Sequence, residues 1–181
     1  MKASLATALV LASALLGGCA HHAAPDFTLT SDTGAPWTLS AQRGEAVAVF
    51  FGFTHCDDTC PDTLAKLSTA MRADGASARD AEIAFVTIDP QRDTPAVMHR
   101  YIRRFDGPVV GLTGTPAQIA AVMRAYHVWA QKIPDPHGGS NYDEAHSAFT
   151  FLIDRNGNMR MIHNDNDSLR DFRTDLAILL R

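Results

Sequence analysis

Two cysteines that stand four positions apart, Cys56 and Cys60, are the residues of this chain with the clearest capacity for chemistry. A histidine much further along the chain, His146, offers a third donor. Two thiolates and one imidazole make a soft, three-coordinate ligand set that suits Cu(I). Two neighbouring thiols can equally act as a redox pair that exchanges with the disulfide of another protein. The residue types leave both chemistries open.

The sequence around the cysteines predicts that a buried strand delivers both thiols to the start of a helix. Residues 46–53 form a continuous apolar run rich in Val and Phe, which is typical of a strand covered on both faces. Leu64 and Leu67 then begin a helical pattern. A thioredoxin fold places its reactive cysteines at such a turn, where the helix N-terminus favours the thiolate. Positions four apart share one face of a helical turn, so the two sulfurs can converge on one ion.

Two carboxylates, Asp57 and Asp58, stand between the cysteines. Negative neighbours oppose thiolate formation by electrostatic repulsion, so we expect them to disfavour a strongly oxidising disulfide and to suit a cation site. An inert structural disulfide between Cys56 and Cys60 is a further interpretation. It is the weakest one, because a bridge within a single turn closes no long loop.

His146 stands shortly before a predicted strand at 149–153. A single histidine in such a place is more often packed or solvated than a ligand, and its pairing with two thiols is the argument for ligation. A trigonal copper site needs this third donor, whereas a dithiol enzyme does not. His55 is next to Cys56, and we expect it to support the site from outside or to have a structural role.

The other histidines and one polar segment have simpler interpretations. We expect ordinary surface or core positions for His99, His127 and His163. The polar segment after the strand at 83–88 could border the site, but a turn and a helix cap at Asp93 and Thr94 already explain it.

The N-terminus has the pattern of a lipoprotein signal peptide over residues 1–18. Lys2 supplies the positive charge, the apolar stretch after it is too short to span a bilayer, and the small residues before Cys19 suit lipidation of that cysteine. An ordinary signal peptide cleaved a few residues later is the alternative. We therefore expect a tether at 19–25, a folded domain at 26–181, and a lipid anchor on the periplasmic side of a bacterial membrane.

Composition limits the classes of function. The chain has 181 residues and a formal net charge of −4, with no basic stripe, so nucleic-acid binding is not expected. The exported part is long enough for one domain with a full hydrophobic core. An exported thiol pair meets an oxidising compartment, so Cys56 and Cys60 would form a disulfide unless a reductant or a metal holds them.

Strand-like and helical patterns alternate along the domain and close with a hairpin and a helix, which predicts a thioredoxin-like α/β layer. The strand patterns cover 27–29, 37–39, 46–53, 83–88, 109–112, 149–153 and 159–162. The helical patterns begin near Pro61, Asp93, Thr115 and Asp167. Residues 126–133 are expected to be extended, and the glycine-containing loop 134–141 is expected to be mobile.

Three segments in this order resemble the Sco/SenC family of copper chaperones for cytochrome c oxidase. They are Gly52-Phe53-Thr54-His55-Cys56 with Cys60-Pro61, then Thr87-Ile88-Asp89-Pro90 with Asp93-Thr94-Pro95, and last His146-Ser147-Ala148 with Leu152-Ile153-Asp154 and Gly157. The resemblance covers nearly all of the exported domain. It implies a thioredoxin-like fold with an inserted β-hairpin, and ligation of one copper ion, Cu(I) or Cu(II), by Cys56, Cys60 and His146.

The resemblance also implies the partners. The family role is to deliver copper to the binuclear copper centre of oxidase subunit II, or to reduce the thiols of that centre. A thiol reductant would keep the chain's own cysteines reduced, and we expect a monomer. One residue departs from the family pattern, since many members carry Pro directly after the first cysteine, where this chain has Asp57. The turn loses a fixed φ there and gains a charge beside the sulfur.

The main alternative is a thiol–disulfide reductase that needs no metal. In it Cys56 would attack a partner disulfide and Cys60 would resolve the mixed disulfide. A copper or redox sensor that acts on a membrane partner is a third interpretation. A peroxidase is less consistent with a second cysteine inside the same turn.

Overall fold

The computed structural model of the chain describes residues 22–73, 80–134 and 142–180. The strands are β1 (Thr28–Ser31), β2 (Pro36–Thr38), β3 (Ala46–Gly52), β4 (Ala81–Thr87), β5 (Val109–Thr113), β6 (Ala130–Pro134), β7 (Tyr142–His146), β8 (Thr150–Ile153) and β9 (Met159–His163). The helices are α1 (Thr59–Ala73), α2 (Pro95–Ile102), α3 (Pro116–Ala125) and α4 (Leu169–Leu179), and a short 3-10 turn covers Leu39–Gln42. Seven strands form one mixed sheet in the order β2-β1-β5-β4-β3-β8-β9, and β6 pairs with β7 separately.

The centre of the large sheet is β3, every residue of which is buried, as its apolar run predicts. It pairs in parallel with β4 and antiparallel with β8. Phe50 stacks on Phe85 on one face of the sheet, and Phe51 meets Tyr126 on the other. Burying a side chain of this size stabilises the folded state by about 1.5–3 kcal/mol. The predicted thioredoxin-like α/β layer is confirmed, and its two apolar faces hold the strand that leads to the cysteines.

Three helices begin at the hydroxyl residues expected to cap them. The side chains of Thr94, Thr115 and Ser168 each accept a hydrogen bond from a backbone N–H in the first turn. The helix whose start the sequence places near Asp93 therefore has Thr94 as its cap. The Asp93 carboxylate is left for a different role.

The inserted β-hairpin is present, with β6 antiparallel to β7 and Ala130 opposite His146. Of the loop predicted at 134–141, for which we expect mobility, Pro134 is the last residue of β6 and the remainder lies outside the described residues. The hairpin lies between α3 and β8 in the chain, with His146 at the end of β7 that leads to β8 and Tyr142 at its other end.

The extended segment begins later than the sequence predicts. The Tyr126 N–H still donates to the Val122 carbonyl at 3.0 Å, so helical geometry continues to that residue. The Tyr126 ring is held in the core against Phe51 and Phe151. His127 then turns the chain with a φ of 55°, in the left-handed region. Packing of one aromatic ring thus overrides the extended pattern at 126–129.

The first described residues lie against the hairpin of β8 and β9. The Met159 N–H donates to the His22 carbonyl, and the Ala24 N–H donates to the Gly157 carbonyl, each at 2.9 Å. The described part of the predicted tether, 22–25, therefore contacts the domain. The predicted signal peptide and Cys19 lie outside the described residues. Among the helices of the described residues, none has the length and apolar character needed to cross a membrane.

Glu82 on β4 makes the stability of the fold depend on pH. The Trp37 Nε1–H donates to Glu82 Oε2 at 2.9 Å, and burial raises the pKa of the Glu82 carboxyl from 4.5 to about 7. A carboxyl with a higher pKa in the folded chain than in the unfolded chain lowers stability as the pH rises through this interval. We expect Glu82→Gln, which keeps the acceptor for Trp37, to raise the free energy of unfolding by about 1–3 kcal/mol at a pH of about 8.

At a pH of about 4, where both states of the wild type carry a mostly protonated Glu82, the two proteins should be equally stable. Urea unfolding at the two pH values measures the difference. An equal gain at both values would show that titration of Glu82 is not its cause.

Candidate functional site

The two cysteines lie side by side where the chain leaves β3 and enters α1. The strand ends at Gly52, a turn follows, and the helix begins at Thr59. Both thiols are free, and Cys56 Sγ accepts a hydrogen bond from the Cys60 N–H at 3.3 Å. The structure therefore brings together the two sulfurs that the spacing predicts to converge.

The two thiols have different surroundings. Cys60 is fully buried, whereas Cys56 is partly exposed. A Cβ atom at Gly52 would lie 2.7 Å from Cys60 Sγ and 2.9 Å from the Phe85 ring, so the end of β3 must be glycine for Cys60 to sit there. Cys56 is consequently the sulfur that a partner reaches first.

The pKa values of the two thiols also differ, and the more exposed thiol has the lower pKa. The Cys60 thiol donates to Cys56 and lowers the pKa of Cys56 to about 6, and the backbone N–H groups of Cys60, Asp58 and Thr59 lower it further, although burial opposes them. The same hydrogen bond raises the pKa of Cys60, and burial adds to the effect. The pair therefore shares one proton, which stays on the buried sulfur.

The carboxylates of Asp57 and Asp58, which are expected to oppose thiolate formation, do not keep the pKa of Cys56 from falling. The pKa is lowered chiefly because the Cys60 thiol donates to Cys56, and Asp58 adds its backbone N–H at the start of α1. The spacing of charges along the sequence does not reveal this, since the direction of a backbone N–H depends on how the turn is folded.

A buried carboxylate, Asp93, holds the cysteine turn in place. Asp93 Oδ2 accepts from the Thr54 N–H at 3.0 Å and from the Thr87 hydroxyl at 2.6 Å. Asp93 Oδ1 accepts from the Thr54 hydroxyl at 2.6 Å, and the residue is inaccessible to solvent. The interpretation of Asp93 as part of a helix cap misses this role. The available signal was a second polar residue before a helix that needs only Thr94 as its cap.

An open cleft of about 1050 Å³ separates the cysteine turn from the hairpin. Residues 53–59 line one wall, and β7 with His146 lines the other. The His146 ring meets the Phe53 ring edge to face at 5.8 Å between centroids. Burial lowers the pKa of His146, and its Nε2 atom is buried without a hydrogen-bond partner among the described residues. A neutral imidazole with an unused ring nitrogen is the form that binds metals.

Cys56 and His146 border one cleft, Cys60 is buried beside Cys56, and the three predicted ligands do not form a closed site. Within residues 22–73, 80–134 and 142–180, no three His, Cys, Asp or Glu side chains are close enough together to hold an ion. The donors themselves fit copper, since they are a thiolate, a second thiol and an unpaired imidazole nitrogen. Binding by all three would require the hairpin and the cysteine turn to approach each other.

The cleft has an acidic lining. The carboxyl groups around it are those of Asp57, Asp58, Asp143, Glu144 and Asp165, of which Glu144 is only partly ionised at neutral pH because burial raises its pKa to about 7. Arg92 is the only Lys or Arg among the lining residues that the structure describes. Such a field attracts cations to the mouth of the cleft. Cys56 also borders a smaller hollow of about 340 Å³ beside Arg104 and Phe105, so its sulfur can be approached from two sides.

The other histidines do not join the cysteines. His55 is half exposed, and its Nδ1 atom lies 3.1 Å from the Thr54 hydroxyl. His163 is buried between Asp167 and Asp175. His99 pairs with Asp32 at the surface, and His127 forms the turn after α3.

Comparisons with known proteins identify the family of the chain. A family model described as SCO1/SenC matches residues 18–181. A SCO2-like protein of Rickettsia felis is 36% identical over 132 residues, which are 73% of this chain and 64% of that protein. The chain thus matches less than two thirds of the length of this relative.

Two solved structures are similar over most of the chain. ScoI of Bradyrhizobium japonicum, with copper bound, is 36% identical with a TM-score of 0.78, and the match covers 87% of this chain and 99% of that one. ScoI of Arabidopsis thaliana, also with copper bound, is 31% identical with a TM-score of 0.79, and the match covers 87% and 98%.

The unequal thiols lead to a prediction about reactivity. In the reduced protein, iodoacetamide should alkylate Cys56 with a pH midpoint near 6 and leave the buried Cys60 unmodified. Peptide mapping by mass spectrometry after timed alkylation between about pH 4 and 9 measures this.

The matched control is Cys60→Ala. It removes the thiol that donates to the Cys56 thiolate, so the midpoint of Cys56 should move upward while the site of alkylation stays the same. A wild-type midpoint above about pH 8, the range of an ordinary thiol, would contradict the assignment.

Proposed function

The chain belongs to the SCO1/SenC family, and we propose that it is an exported copper-binding chaperone whose ligands are Cys56, Cys60 and His146. The observation that carries the proposal is a cleft with the low-pKa Cys56 thiol, paired with the buried Cys60, on one wall and an unpaired, buried imidazole nitrogen on the other. The copper-bound relatives support the choice of metal.

The chain's own groups account for uptake of the cargo ion. Cys56 is already a thiolate at neutral pH, so it makes the first bond. Cys60 must lose its proton when the metal replaces the hydrogen bond between the sulfurs, so binding releases a proton. His146 is neutral and needs no deprotonation. The acidic lining concentrates the cation before these steps.

Release of the ion requires an open coordination position. A three-coordinate site leaves room for an incoming thiolate, which can displace one of the three donors while the ion remains bound. A receiver that also presents thiols is chemically matched to this exchange. We therefore propose the binuclear copper centre of cytochrome c oxidase subunit II as the receiver, as the family resemblance implies. In the same proposal a lipid on Cys19 holds the domain at the periplasmic face of the membrane, and a thiol reductant keeps the pair reduced.

A thiol–disulfide reductase is the second candidate, and the unequal thiols favour it specifically. Cys56 is partly exposed and ionised, which suits attack on a partner disulfide. Cys60 is held beside it and protonated, which suits the resolving position. This chemistry needs neither His146 nor the acidic lining.

His146→Ala separates the two candidates. Two thiolates alone can hold soft Cu(I), but Cu(II) relies more on nitrogen donors, so the affinity for Cu(II) should fall by roughly 100-fold. Reduction of a small aromatic disulfide by the dithiol should be unchanged. Copper competition titrations and a disulfide-reduction assay on the same anaerobic samples measure both quantities.

The matched control is His55→Ala, which removes the other histidine of the cleft and should leave Cu(II) affinity within about twofold of the wild type. Wild-type protein that binds no tight copper but reduces disulfides would support the reductase instead. Equal losses in both histidine variants would remove His146 from its assigned role.

A further inference from the structure

The turn between β4 and α2 touches both walls of the cleft. Asp93, at the end of this turn, holds the cysteine wall through Thr54, as described above. Arg92 is the adjacent residue, and its Nη1–H donates to the backbone carbonyl of Tyr142, the first residue of β7, at 2.8 Å. Two neighbouring side chains therefore tie the cysteine turn and the hairpin to the same short segment.

The Arg92 guanidinium lies between the cysteine wall and the hairpin wall of the cleft. Its central carbon lies 3.7 Å from the centroid of the Tyr142 ring and 5.8 Å from that of the Phe53 ring. Phe53 in turn contacts the His146 ring. A planar guanidinium can stack on aromatic faces and form directed hydrogen bonds at the same time. Arg92 thus reaches the hairpin at Tyr142 directly and His146 through one intervening ring.

Asp89 keeps the guanidinium in this orientation. Its carboxylate is almost completely buried and accepts from Arg92 Nε–H and from the Tyr142 hydroxyl, the latter at 2.8 and 2.9 Å to its two oxygens. The Lys132 Nζ atom, on β6, lies 3.9 Å from the centroid of the Tyr142 ring and 4.0 Å from Asp89 Oδ1. A buried carboxylate stays charged only with such partners. Loss of one partner would therefore leave the Asp89 charge unpaired and destabilise the folded protein.

The cluster holds the far end of the hairpin, where Lys132 Nζ–H also donates to Gln91 Oε1 at 2.9 Å. At the base, beside His146, the Ser147 N–H donates to the Trp129 carbonyl at 2.9 Å. Tyr142 stands at the opposite end of β7. The hairpin is held at its base by the Ser147 bond and at its far end by the contacts of Arg92 and Asp89 with Tyr142, which together form a clamp. This clamp sets the direction in which the hairpin leans over the cysteines.

We propose that Arg92, seated on Asp89, is a positioning residue that keeps the hairpin beside the cysteine turn, so that His146 faces Cys56 and Cys60 across the cleft and reaches their bound ion when the two walls approach each other. Arg92 contacts no predicted ligand itself. This inference rests on the proposed function, because it concerns the third donor of that copper site.

The test is a double-mutant cycle on the reduced full-length protein with Cu(II) as the probe. Arg92→Gln should weaken Cu(II) binding by about tenfold in the wild-type background, which is the usual effect of losing an outer support of a metal ligand. In the His146→Ala background the same change should alter the affinity by less than about twofold, since the donor that Arg92 positions is already gone. The electron paramagnetic resonance spectrum of the Arg92→Gln complex should shift toward that of His146→Ala.

A readout without metal accompanies the cycle. In the apo protein, Arg92→Gln should speed hydrogen exchange at the β7 amides while leaving those of β3 unchanged, because only the clamp on the hairpin is lost. The exposed Arg100 on α2 provides the matched control, since Arg100→Gln removes the same charge without touching the hairpin. It should change neither the exchange nor the affinity.

Two outcomes overturn the inference separately from the proposed function. Equal losses of affinity from Arg92→Gln in both backgrounds would mean that Arg92 acts through stability or charge, and unchanged exchange in β7 would mean that the clamp does not restrain the hairpin. If His146→Ala itself left Cu(II) affinity unchanged, the proposed function would fail, and the inference with it. If Arg92→Gln does not fold, Tyr142→Phe takes its place, because it removes only the bonds from the hydroxyl to Asp89 and should shift affinity and exchange in the same direction.

Discussion

The site depends first on one buried carboxylate, Asp93, that replaces water with three donors from the chain itself. Its bonds to Thr54 and Thr87 tie the cysteine turn to the end of β4. A carboxylate inaccessible to solvent is stable only while such donors are present, so the geometry of the turn is strongly specified. The segment that carries Asp93 also carries Arg92 and Asp89, and so the hairpin is positioned from the same place.

The cysteine pair is asymmetric because the end of a buried strand can admit only one of the two sulfurs. Gly52 leaves space for Cys60 Sγ in the core, and Cys56 remains at the surface with the amides at the start of α1. One thiolate and one protonated neighbour form a pair that can take up a soft cation or attack a disulfide. His146 and the acidic lining distinguish these uses, because only metal binding requires them. The residues opposite the cysteines therefore distinguish metal binding from disulfide reduction.

Much of this arrangement can be predicted from the chain because local signals and burial agree. The apolar run of β3, the caps at Thr94, Thr115 and Ser168, and the spacing of the cysteines each indicate the structure that forms. Contacts between segments that are distant in sequence are harder to predict. Nothing next to Asp93 in sequence reveals Thr54 as its partner, and nothing near Arg92 indicates Tyr142. The Tyr126 ring similarly keeps the end of α3 helical through core packing that a local pattern does not contain.

The most direct test of the central claim is X-ray absorption at the copper edge of the Cu(I)-loaded, reduced protein. Two thiolates and one imidazole around a three-coordinate ion predict two sulfur neighbours and one nitrogen neighbour, with the imidazole scattering absent from the spectrum of His146→Ala. A wild-type spectrum with sulfur neighbours alone, unchanged in the variant, would contradict the claim that His146 completes the site.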